Sequence, residues 1–461
     1  MRCKVSVKAG ADVIYVPTDY STIQGAINHA ISGDTIFVHG GTYYEHIIVN
    51  KSVSLFGEDR DSTIIDGNET GTVISIKASY VSVRGFTVMR SGRGPYNSGI
   101  FVNQSSGNDI SHNTVTDNNN GISLYSSPNN EISGNTVTDN DNGISLYSSA
   151  NNEISGNTIT KNNNGIYLAL YSRKNIIYCN NFNNTYQVLS DSENVWDDGN
   201  QGNYWSDYTG VDKFSGPYQN ETGSDGIGDT PFVIDVNNQD KHPLMGTFSD
   251  FEVTLERETC HVTTICNSTM SEFRFEIGPE TGNKIIRFNV TGKDTTVGFC
   301  RVTIPTELMN YPYILLVDVK EIVPTLLDVS NATCVYLYFT YIHSSHTITI
   351  ISSKTLSLYN ELLDEHVELQ TDLYNLNTTY YDCLNNYGIL LGNYNQLQER
   401  YLELNNSYQD HLSDFSKNVY NIRNLTYVLA ATTAILIITT IYLSRRAHAS
   451  NTNVFEDKNR S

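Results

Sequence analysis

The sequence predicts a mainly β protein, with a right-handed parallel β-helix, a β-sandwich, a long coiled-coil helix and a C-terminal transmembrane helix. Near-identical segments begin at Asn113, Asn135 and Asn157, a period of 22 residues. That period is typical of one rung of a β-solenoid and too short for a helical hairpin. Heptads of tyrosine and leucine and a late apolar stretch predict the last two elements.

The predicted domains follow one another along the chain. We assign residues 13–247 to the β-helix with an N-terminal helical cap, 250–352 to the β-sandwich, 355–425 to the coiled-coil stalk, 427–443 to the transmembrane helix and 444–461 to a cytoplasmic tail.

Aligned rungs place like residues in columns. Within one rung apolar residues alternate with polar ones, as in Ile122-Ser123-Leu124, which indicates a strand with one buried face. Rungs stacked about 4.8 Å apart would join these columns into one aliphatic core. The main columns are Ile110, Ile132, Ile154 and Ile177; Val115, Val137, Ile159 and Phe182; Ile100, Ile122, Ile144 and Ile166; and Val102, Leu124, Leu146 and Leu168.

Two further columns consist of glycine and asparagine. We interpret the glycine column as a corner with a backbone angle that a Cβ would oppose. The asparagine column predicts an inward ladder of amides bonded from rung to rung. It is not a column of glycan acceptors, because no member has Ser or Thr two residues on. The members are Gly99, Gly121, Gly143 and Gly165, and Asn113, Asn135, Asn157 and Asn180.

Both ends of the β-helix need a cover. At the start, Ser21 is the predicted N-cap of a short helix whose apolar residues recur at helical spacing. At the other end, the segment from Trp196 to Trp205 holds both tryptophans of the chain. We expect that segment to close the β-helix.

These residues carry a family resemblance. The segments IYVPTDYSTIQGAINHAISGDTIFVHGGTYYEHIIVNKSVSLFGEDRDSTIIDGN and NVWDDGNQGNYWSDYTG, with the rungs between them, resemble the archaeal NosD-like parallel β-helix proteins of the cell surface. This class is also labelled a carbohydrate-binding and sugar-hydrolase (CASH) domain. The resemblance covers about residues 13–247 and implies the fold more specifically than an activity.

Composition points to an exported protein. The net charge of −21 over 461 residues argues against nucleic acid as a partner. Sequons occur in every segment before the apolar stretch, which favours a glycoprotein. Four cysteines fall between residues 260 and 334, where one or two disulfides are expected and three pairings are open. They are Cys260, Cys266, Cys300 and Cys334.

The segment 251–352 contains seven short stretches in which apolar and polar residues alternate, and these predict the strands of the sandwich.

The stalk region has a heptad repeat. Tyrosine occupies most of the a positions from Tyr359 to Tyr408, and leucine occupies most of the d positions from Leu362 to Leu425. We therefore predict homo-oligomers through a coiled coil of roughly 100 Å.

Tyr427–Leu443 carries no charge, and Arg445 and Arg446 follow it. We therefore predict a single-pass cell-membrane protein with the β-helix outside and the C-terminus inside. No signal peptide is visible after Met1. We expect one upstream, the alternative being a tail-anchored protein with a cytosolic β-helix.

Exposed tyrosines are the predicted ligand-binding residues, because aromatic rings stack on sugars. They are Tyr125, Tyr147, Tyr167 and Tyr171. No catalytic residue is predicted. The pair Asp117 and Asp139 has the spacing of a glycosidase pair, but it lies in an Asn-rich turn that we place outside the core.

A structural calcium is the one predicted cofactor. Asp225, Asp229 and Asp235 supply oxygen ligands among glycine turns, although the segment lacks the last glutamate of an EF-hand loop. Copper is implied only by the family resemblance, since the histidines of the β-helix are scattered.

The leading hypothesis is a membrane-anchored surface glycoprotein that binds carbohydrate or another cell-surface polymer. The alternatives are a polysaccharide-cleaving hydrolase or lyase, a NosD-like periplasmic copper-related protein, and a surface-layer component that binds its own copies.

Overall fold

The computed structural model describes residues 12–255, 258–352, 366, 368–379, 397–398 and 400–419. Within these residues no helix is long and apolar enough to cross a membrane. The transmembrane helix predicted at 427–443 and the tail at 444–461 lie outside the described residues.

Three parallel sheets form the β-helix, and each complete rung contributes one strand to each sheet. The first sheet contains Val13–Val16, Thr35–Val38, Ser54–Gly57, Ser82–Arg84, Asp109–Ser111, Glu131–Ser133, Glu153–Ser155 and Ile176–Tyr178. The second contains Gly41–Tyr43, Thr63–Asp66, Thr87–Met89, Thr114–Thr116, Thr136–Thr138, Thr158–Thr160, Asn181–Asn183 and Tyr204–Trp205. The third contains Ile47–Val49, Ile74–Ile76, Ser98–Asn103, Asn120–Tyr125, Asn142–Tyr147, Asn164–Ala169 and Tyr186–Ser190.

The aliphatic columns are confirmed as the core. Ile122 pairs in register with Ile144, and Ile144 pairs with Ile166. All three side chains are 0% exposed. The last repeat has one extra residue, because Ile154 pairs with Ile177, which is 23 residues further along the chain. The strict period therefore fixes the register of every central rung.

The glycine column has a different cause from the predicted one. Gly121 and Gly143 are not among the residues with positive φ. A Cβ on Gly121 would lie 2.5 Å from the carbonyl oxygen of Gly143, and one on Gly143 would lie 2.6 Å from that of Gly165. Glycine is needed because adjacent rungs approach closely at this corner, and not because of an unusual backbone angle.

The predicted asparagine ladder is confirmed. Asn135 Nδ2 donates to Asn157 Oδ1 at 3.0 Å and to the Ile110 carbonyl at 2.8 Å. Two more buried asparagine ladders run beside it, and they were missed. One lies in the Asn-rich turn that we placed outside the core. Their buried members are Asn118, Asn140 and Asn162, and Asn108, Asn130, Asn152 and Asn175.

Both ends of the β-helix are covered as expected, with one correction. The helix Ile23–His29 closes the first end, and its N-cap is Thr22, not Ser21. The Thr22 side chain accepts the backbone N–H of Gly25 at 3.1 Å. At the other end, Trp205 stacks on Phe182 with ring centroids 4.4 Å apart. This aromatic contact ends the aliphatic core.

Two five-stranded antiparallel sheets follow the β-helix. The fourth sheet has the order Thr247–Leu255, Glu258–Cys266, Val297–Pro305, Cys334–Ile342 and Thr325–Leu326. The fifth has the order Thr269–Ile277, Lys284–Thr291, Ser345–Ser352, Tyr313–Val317 and Lys320–Ile322. Two small hairpins, Phe214–Ser215 with Glu221–Thr222 and Phe232–Val233 with Gln239–Asp240, precede them. The sandwich arrangement itself stays a prediction.

The chain divides into two compact units that alternate along the sequence. The first comprises Met1–Ser268, Gly298–Ile304 and Leu326–Tyr338, and the second comprises Thr269–Val297, Pro305–Thr325 and Phe339–Ser461.

Within the first unit, the strand Thr247–Leu255 lies against the outside of the β-helix. The Phe248 backbone exchanges two hydrogen bonds with the Asn181 side chain, each of 2.8 Å. Arg84 donates to both carboxylate oxygens of Glu252 at 2.8 and 2.9 Å. The strand therefore follows the β-helix back from a late rung to an early one.

The stalk was predicted to be one long helix. This is wrong for the two helical segments that the structure describes, which do not lie on one straight helix. Residues 368–379 and 400–419 are helical. The His366 ring stacks on Phe415 with centroids 6.1 Å apart. At 1.5 Å rise per residue, positions this far apart on a straight helix would be roughly 70 Å from each other. The two helical segments therefore lie side by side. The coiled coil between copies stays a prediction.

Candidate functional site

Tyrosines cluster on the outer face of the third sheet, where the strands Asn120–Tyr125, Asn142–Tyr147 and Asn164–Ala169 lie in register. Tyr125 pairs directly with Tyr147. The rings of Tyr147 and Tyr167 lie 5.6 Å apart at 60°, a tilted aromatic contact. Tyr125 keeps 41% of its surface exposed. Three of the four predicted ligand-binding residues thus share one surface.

Polar side chains, several of them buried, lie between these tyrosines on the third sheet. Ser123 and Ser145 point to the outer face, yet both are buried. Ser145 Oγ donates to Asn120 Oδ1 at 3.3 Å. Beside this serine column, Asn142 donates to Asn120 and Asn164 donates to Asn142, at 3.0 and 2.8 Å. Amide and hydroxyl groups therefore lie next to aromatic rings along several rungs.

A longer rung adds a tyrosine that the sequence did not reveal. The rung that ends at Asn113 spans 27 residues instead of 22, and the extra length forms the loop 91–97. Asn120 Nδ2 donates to the carbonyls of Pro95 and Asn97 at 3.1 and 3.0 Å, which holds the loop over the third sheet. Tyr96 on this loop is 75% exposed. We call Tyr96, Tyr125, Tyr147 and Tyr167 the tyrosine face.

The Tyr147 hydroxyl is influenced by burial and by neighbouring tyrosines. Burial raises the pKa of Tyr147 above its usual value, and the nearby phenols of Tyr167 and Tyr96 contribute to the rise. A hydrogen bond with Ser145 opposes it. The Tyr147 hydroxyl is therefore neutral at physiological pH. A neutral phenol can both donate and accept hydrogen bonds.

The fourth predicted residue, Tyr171, lies apart from the tyrosine face. It occupies the turn after the strand Asn164–Ala169, with φ of 66° and 82% exposure. Two residues of the next rung extend the face instead. Leu189 pairs with Tyr167 and Tyr186 pairs with Asn164, and both side chains are exposed. The sequence signal for them was weak because the repeat has lost its regularity there.

Asp117 and Asp139 occupy corresponding turns of adjacent rungs, as predicted. Both are exposed and have positive φ, 55° and 57°. Asp139 accepts a hydrogen bond from Thr138 Oγ1 at 2.9 Å. The left-handed backbone explains the choice of aspartate as a turn residue. Nothing in this geometry sets one carboxyl apart as an acid and the other as a base.

The three aspartates predicted to bind calcium turn to different partners. Asp225 lies 3.6 Å from Arg301, Asp229 accepts the backbone N–H of Lys213 at 3.0 Å, and Asp235 accepts that of Asn237 at 2.7 Å. No group of three His, Cys, Asp or Glu side chains that could hold a metal ion occurs among the described residues. Calcium binding stays a prediction.

Comparisons with known proteins agree with the β-helix. Residues 27–210 match the model of the family described as periplasmic copper-binding protein (NosD). Residues 27–210 are therefore similar to that family, and the three parallel sheets show that this segment is a parallel β-helix. No curated protein matches the sequence.

Two solved structures align over most of the chain but with low similarity. The Dettilon tailspike protein (gp208) has 12% identity and a TM-score of 0.21, covering 74% of this chain and 94% of the tailspike. The tailspike gp49 of Acinetobacter baumannii bacteriophage Fri1, a capsular polysaccharide depolymerase, has 10% identity and a TM-score of 0.21, covering 75% and 84%. Scores this low support no argument about this chain.

The copper named in the family description can be tested against the histidines of the matched segment. His29 donates its ring Nδ1–H to the Gly25 carbonyl at 2.8 Å, and His46 donates its ring Nδ1–H to the Thr72 carbonyl at 2.8 Å. His39 lies 3.4 Å from Glu58. His112 lies 3.7 Å from Glu252. Each histidine of the matched segment has its own local partner, and soft sulfur ligands do not join them. The described residues therefore do not fit a copper centre.

Proposed function

We propose that the β-helix binds neutral carbohydrate chains on the tyrosine face. The observation that carries this proposal is the grouping of Tyr125, Tyr147 and Tyr167 on adjacent rungs of one sheet. Tyr96 lies on the loop that Asn120 holds over the same sheet. Exposed aromatic groups of this kind mark binding surfaces, because each ring combines an apolar face with a polar hydroxyl.

The geometry favours an extended chain over a single sugar. Adjacent rungs are about 4.8 Å apart, so three rungs offer roughly 10 Å of continuous surface along the axis. Sugar rings would stack on the tyrosines, and their hydroxyls would bond to the neighbouring amides of Asn142 and Asn164. Both asparagines are half-buried and keep contact with solvent.

The charge pattern favours a neutral ligand. None of the five strands of the third sheet from Ser98 to Ser190 contains a charged residue, while the whole chain carries −21. An acidic polymer would meet the repulsion of the surrounding molecule and find no matching cation on the strands of the tyrosine face.

We further propose that the protein acts at the cell surface, anchored by residues 427–443 and assembled into homo-oligomers through the heptads. The family described as periplasmic supports export. So do the sequon asparagines Asn50, Asn68 and Asn183, whose side chains are exposed. A surface location would also present the tyrosine face to extracellular polysaccharides.

Binding assays with the full chain test the proposal. We would titrate short cello-, chito- and manno-oligosaccharides into the wild type and into the Tyr125→Ala/Tyr147→Ala variant. We expect one series to bind and the double variant to bind it at least about 100-fold more weakly, since each ring contributes on the order of 1.4 kcal/mol.

The matched control is Tyr218→Ala, which removes a tyrosine that is 84% exposed but lies on the hairpin at residues 214–222. It should bind like the wild type. Unchanged thermal unfolding of the double variant would show that the face, and not the fold, was altered. Equal binding by the wild type and the double variant, or binding of none of the three series, would refute the proposal.

A further inference from the structure

We propose that Cys266 and Cys300 form a disulfide bond when the protein folds in an oxidising compartment. The two residues lie directly opposite each other on the antiparallel strands Glu258–Cys266 and Val297–Pro305. The Cys300 thiol donates to Cys266 Sγ at 2.8 Å, and both residues are 0% exposed. This pairing is independent of carbohydrate binding.

The backbone geometry already suits the bond. Directly opposed residues of an antiparallel pair have Cα atoms about 4.5 or 5.5 Å apart. Disulfides span Cα separations of about 4.4 to 6.8 Å. The two sulfur atoms can therefore join through a small side-chain rotation, without movement of either strand.

The register also selects among the three pairings that the sequence left open. Cys260 lies on the same strand as Cys266, but it pairs with Val253 on the other neighbouring strand. Cys334 begins the strand Cys334–Ile342, which neighbours Val297–Pro305 and not Glu258–Cys266. The register of the strands Glu258–Cys266 and Val297–Pro305 thus places Cys266, and not Cys260, directly opposite Cys300.

The reaction is a thiol–disulfide exchange with a disulfide oxidant such as oxidised glutathione or a disulfide oxidoreductase. One cysteine thiolate attacks the oxidant and forms a mixed disulfide, and the second cysteine displaces the reduced thiol. The two cysteines lose two electrons and two protons in total, and the oxidant disulfide becomes two thiols. Because both sulfurs are buried in the native state, the exchange takes place during folding.

The bond would close a loop that contains two strands of the second unit. Cys266 and Cys300 belong to the first unit, whereas the strands Thr269–Ile277 and Lys284–Thr291 between them belong to the second. The disulfide would therefore join the points where the chain leaves the first unit and returns to it. Closing this loop reduces the entropy of the unfolded chain and stabilises the native state.

Peptide mapping of the full chain tests the proposal. We would produce the protein in the bacterial periplasm and in the reducing cytoplasm, alkylate it under denaturing conditions and digest it with trypsin. In the periplasmic sample we expect residues 258–274 linked to residues 294–301, and release of both peptides by reductant. In the cytoplasmic sample both should be alkylated. Reduction of the periplasmic protein should lower its Tm by roughly 5–10 °C.

Two variants identify the sulfur atoms. Cys260→Ser, which leaves Cys266 as the single cysteine of its tryptic peptide, should keep the linked pair. Cys300→Ala should abolish it. Alkylation of both cysteines in the periplasmic wild type, or loss of the link in Cys260→Ser, would overturn the proposal. The wild-type measurement decides the question even if a variant fails to fold.

Discussion

The Asp240 carboxylate accepts the indole N–H of Trp205 at 2.9 Å, at the position where the asparagine ladder ends. The same oxygen accepts the Asn203 backbone N–H at 2.6 Å, and the other oxygen accepts that of His242 at 3.0 Å. Trp205 also stacks on Phe232 with centroids 4.5 Å apart. One carboxylate thus accepts the backbone N–H of Asn203 at the end of the ladder and holds Trp205 in the aromatic group that closes the core.

We therefore expect Asp240→Ala to destabilise the protein by about 3 kcal/mol, because two buried N–H donors and a partly buried one lose their acceptor. Asp240→Asn keeps one oxygen acceptor and should cost less. Urea unfolding followed by tryptophan fluorescence measures both effects. Asp61→Ala, an exposed turn aspartate, is the control and should stay within about 0.5 kcal/mol of the wild type. An unchanged free energy of unfolding in Asp240→Ala would show that the ladder needs no terminal acceptor.

A second prediction concerns the middle of a ladder. Asn140 Nδ2 donates to the Val115 carbonyl and to Asn162 Oδ1, each at 3.0 Å, and Asn140 Oδ1 accepts the Asn118 N–H at 3.0 Å. Asn140→Asp keeps the shape but loses both donors and buries a carboxylate, so we expect a loss of about 3 kcal/mol. Chemical denaturation measures it.

The matched control is Asn163→Ala in the turn of the next rung, where the side chain is exposed. It should change the free energy of unfolding by less than about 0.5 kcal/mol. Equal effects of the two substitutions would contradict the structural role of the buried ladder.

A third prediction is a pH dependence of stability. Burial raises the pKa of Asp212 to about 7, although its carboxylate accepts the backbone N–H groups of Asp225 and Gly226 at 3.1 and 2.8 Å. The native state therefore binds this proton more tightly than the unfolded chain does. The stabilisation is present below the usual aspartate pKa of about 4 and disappears as the pH rises through about 7.

Asp212→Asn should flatten this decline, because an amide does not titrate. We expect the unfolding free energy of the wild type to fall by on the order of 2 kcal/mol between about pH 4 and pH 7, relative to the variant. Urea titrations at several pH values measure the difference. Parallel pH profiles of the two proteins would show that the Asp212 pKa is not raised in the native state.

A fourth prediction tests the ring of Tyr96 without changing the position of the loop that carries it. Tyr96→Ala should weaken oligosaccharide binding about tenfold while the free energy of unfolding stays unchanged, because the loop is held by backbone carbonyls and not by this ring. Tyr96→Phe should retain most of the affinity, since the ring remains. Calorimetric titration measures both. Wild-type affinity in Tyr96→Ala would remove this tyrosine from the binding face.

Much of the fold could be predicted because its signals are periodic. Ile122, Ile144 and Ile166 recur at one interval, and a constant interval in a solenoid places residues directly above one another. The same logic found the ladder at Asn135. It missed the ladder at Asn140, because runs of Asn and Asp look the same in an exposed turn and at a buried corner.

Non-periodic features of the site were harder to predict. Tyr96 lies outside every column, and its position depends on hydrogen bonds from Asn120 in the following rung. Tyr171 was predicted as an exposed aromatic residue, but the left-handed turn at Leu170 and Tyr171 separates it from the sheet. The residue type alone therefore did not show which surface carries this ring.

The sequence by itself determined the rung length, the strand register and the aliphatic core, because these follow from local patterns repeated at a fixed period. Only the tertiary structure decided which asparagines are buried, which tyrosines form one surface and which cysteine faces Cys300. Those outcomes depend on contacts between residues far apart in the chain, whose partners are fixed only when the rungs stack and the antiparallel strands pair.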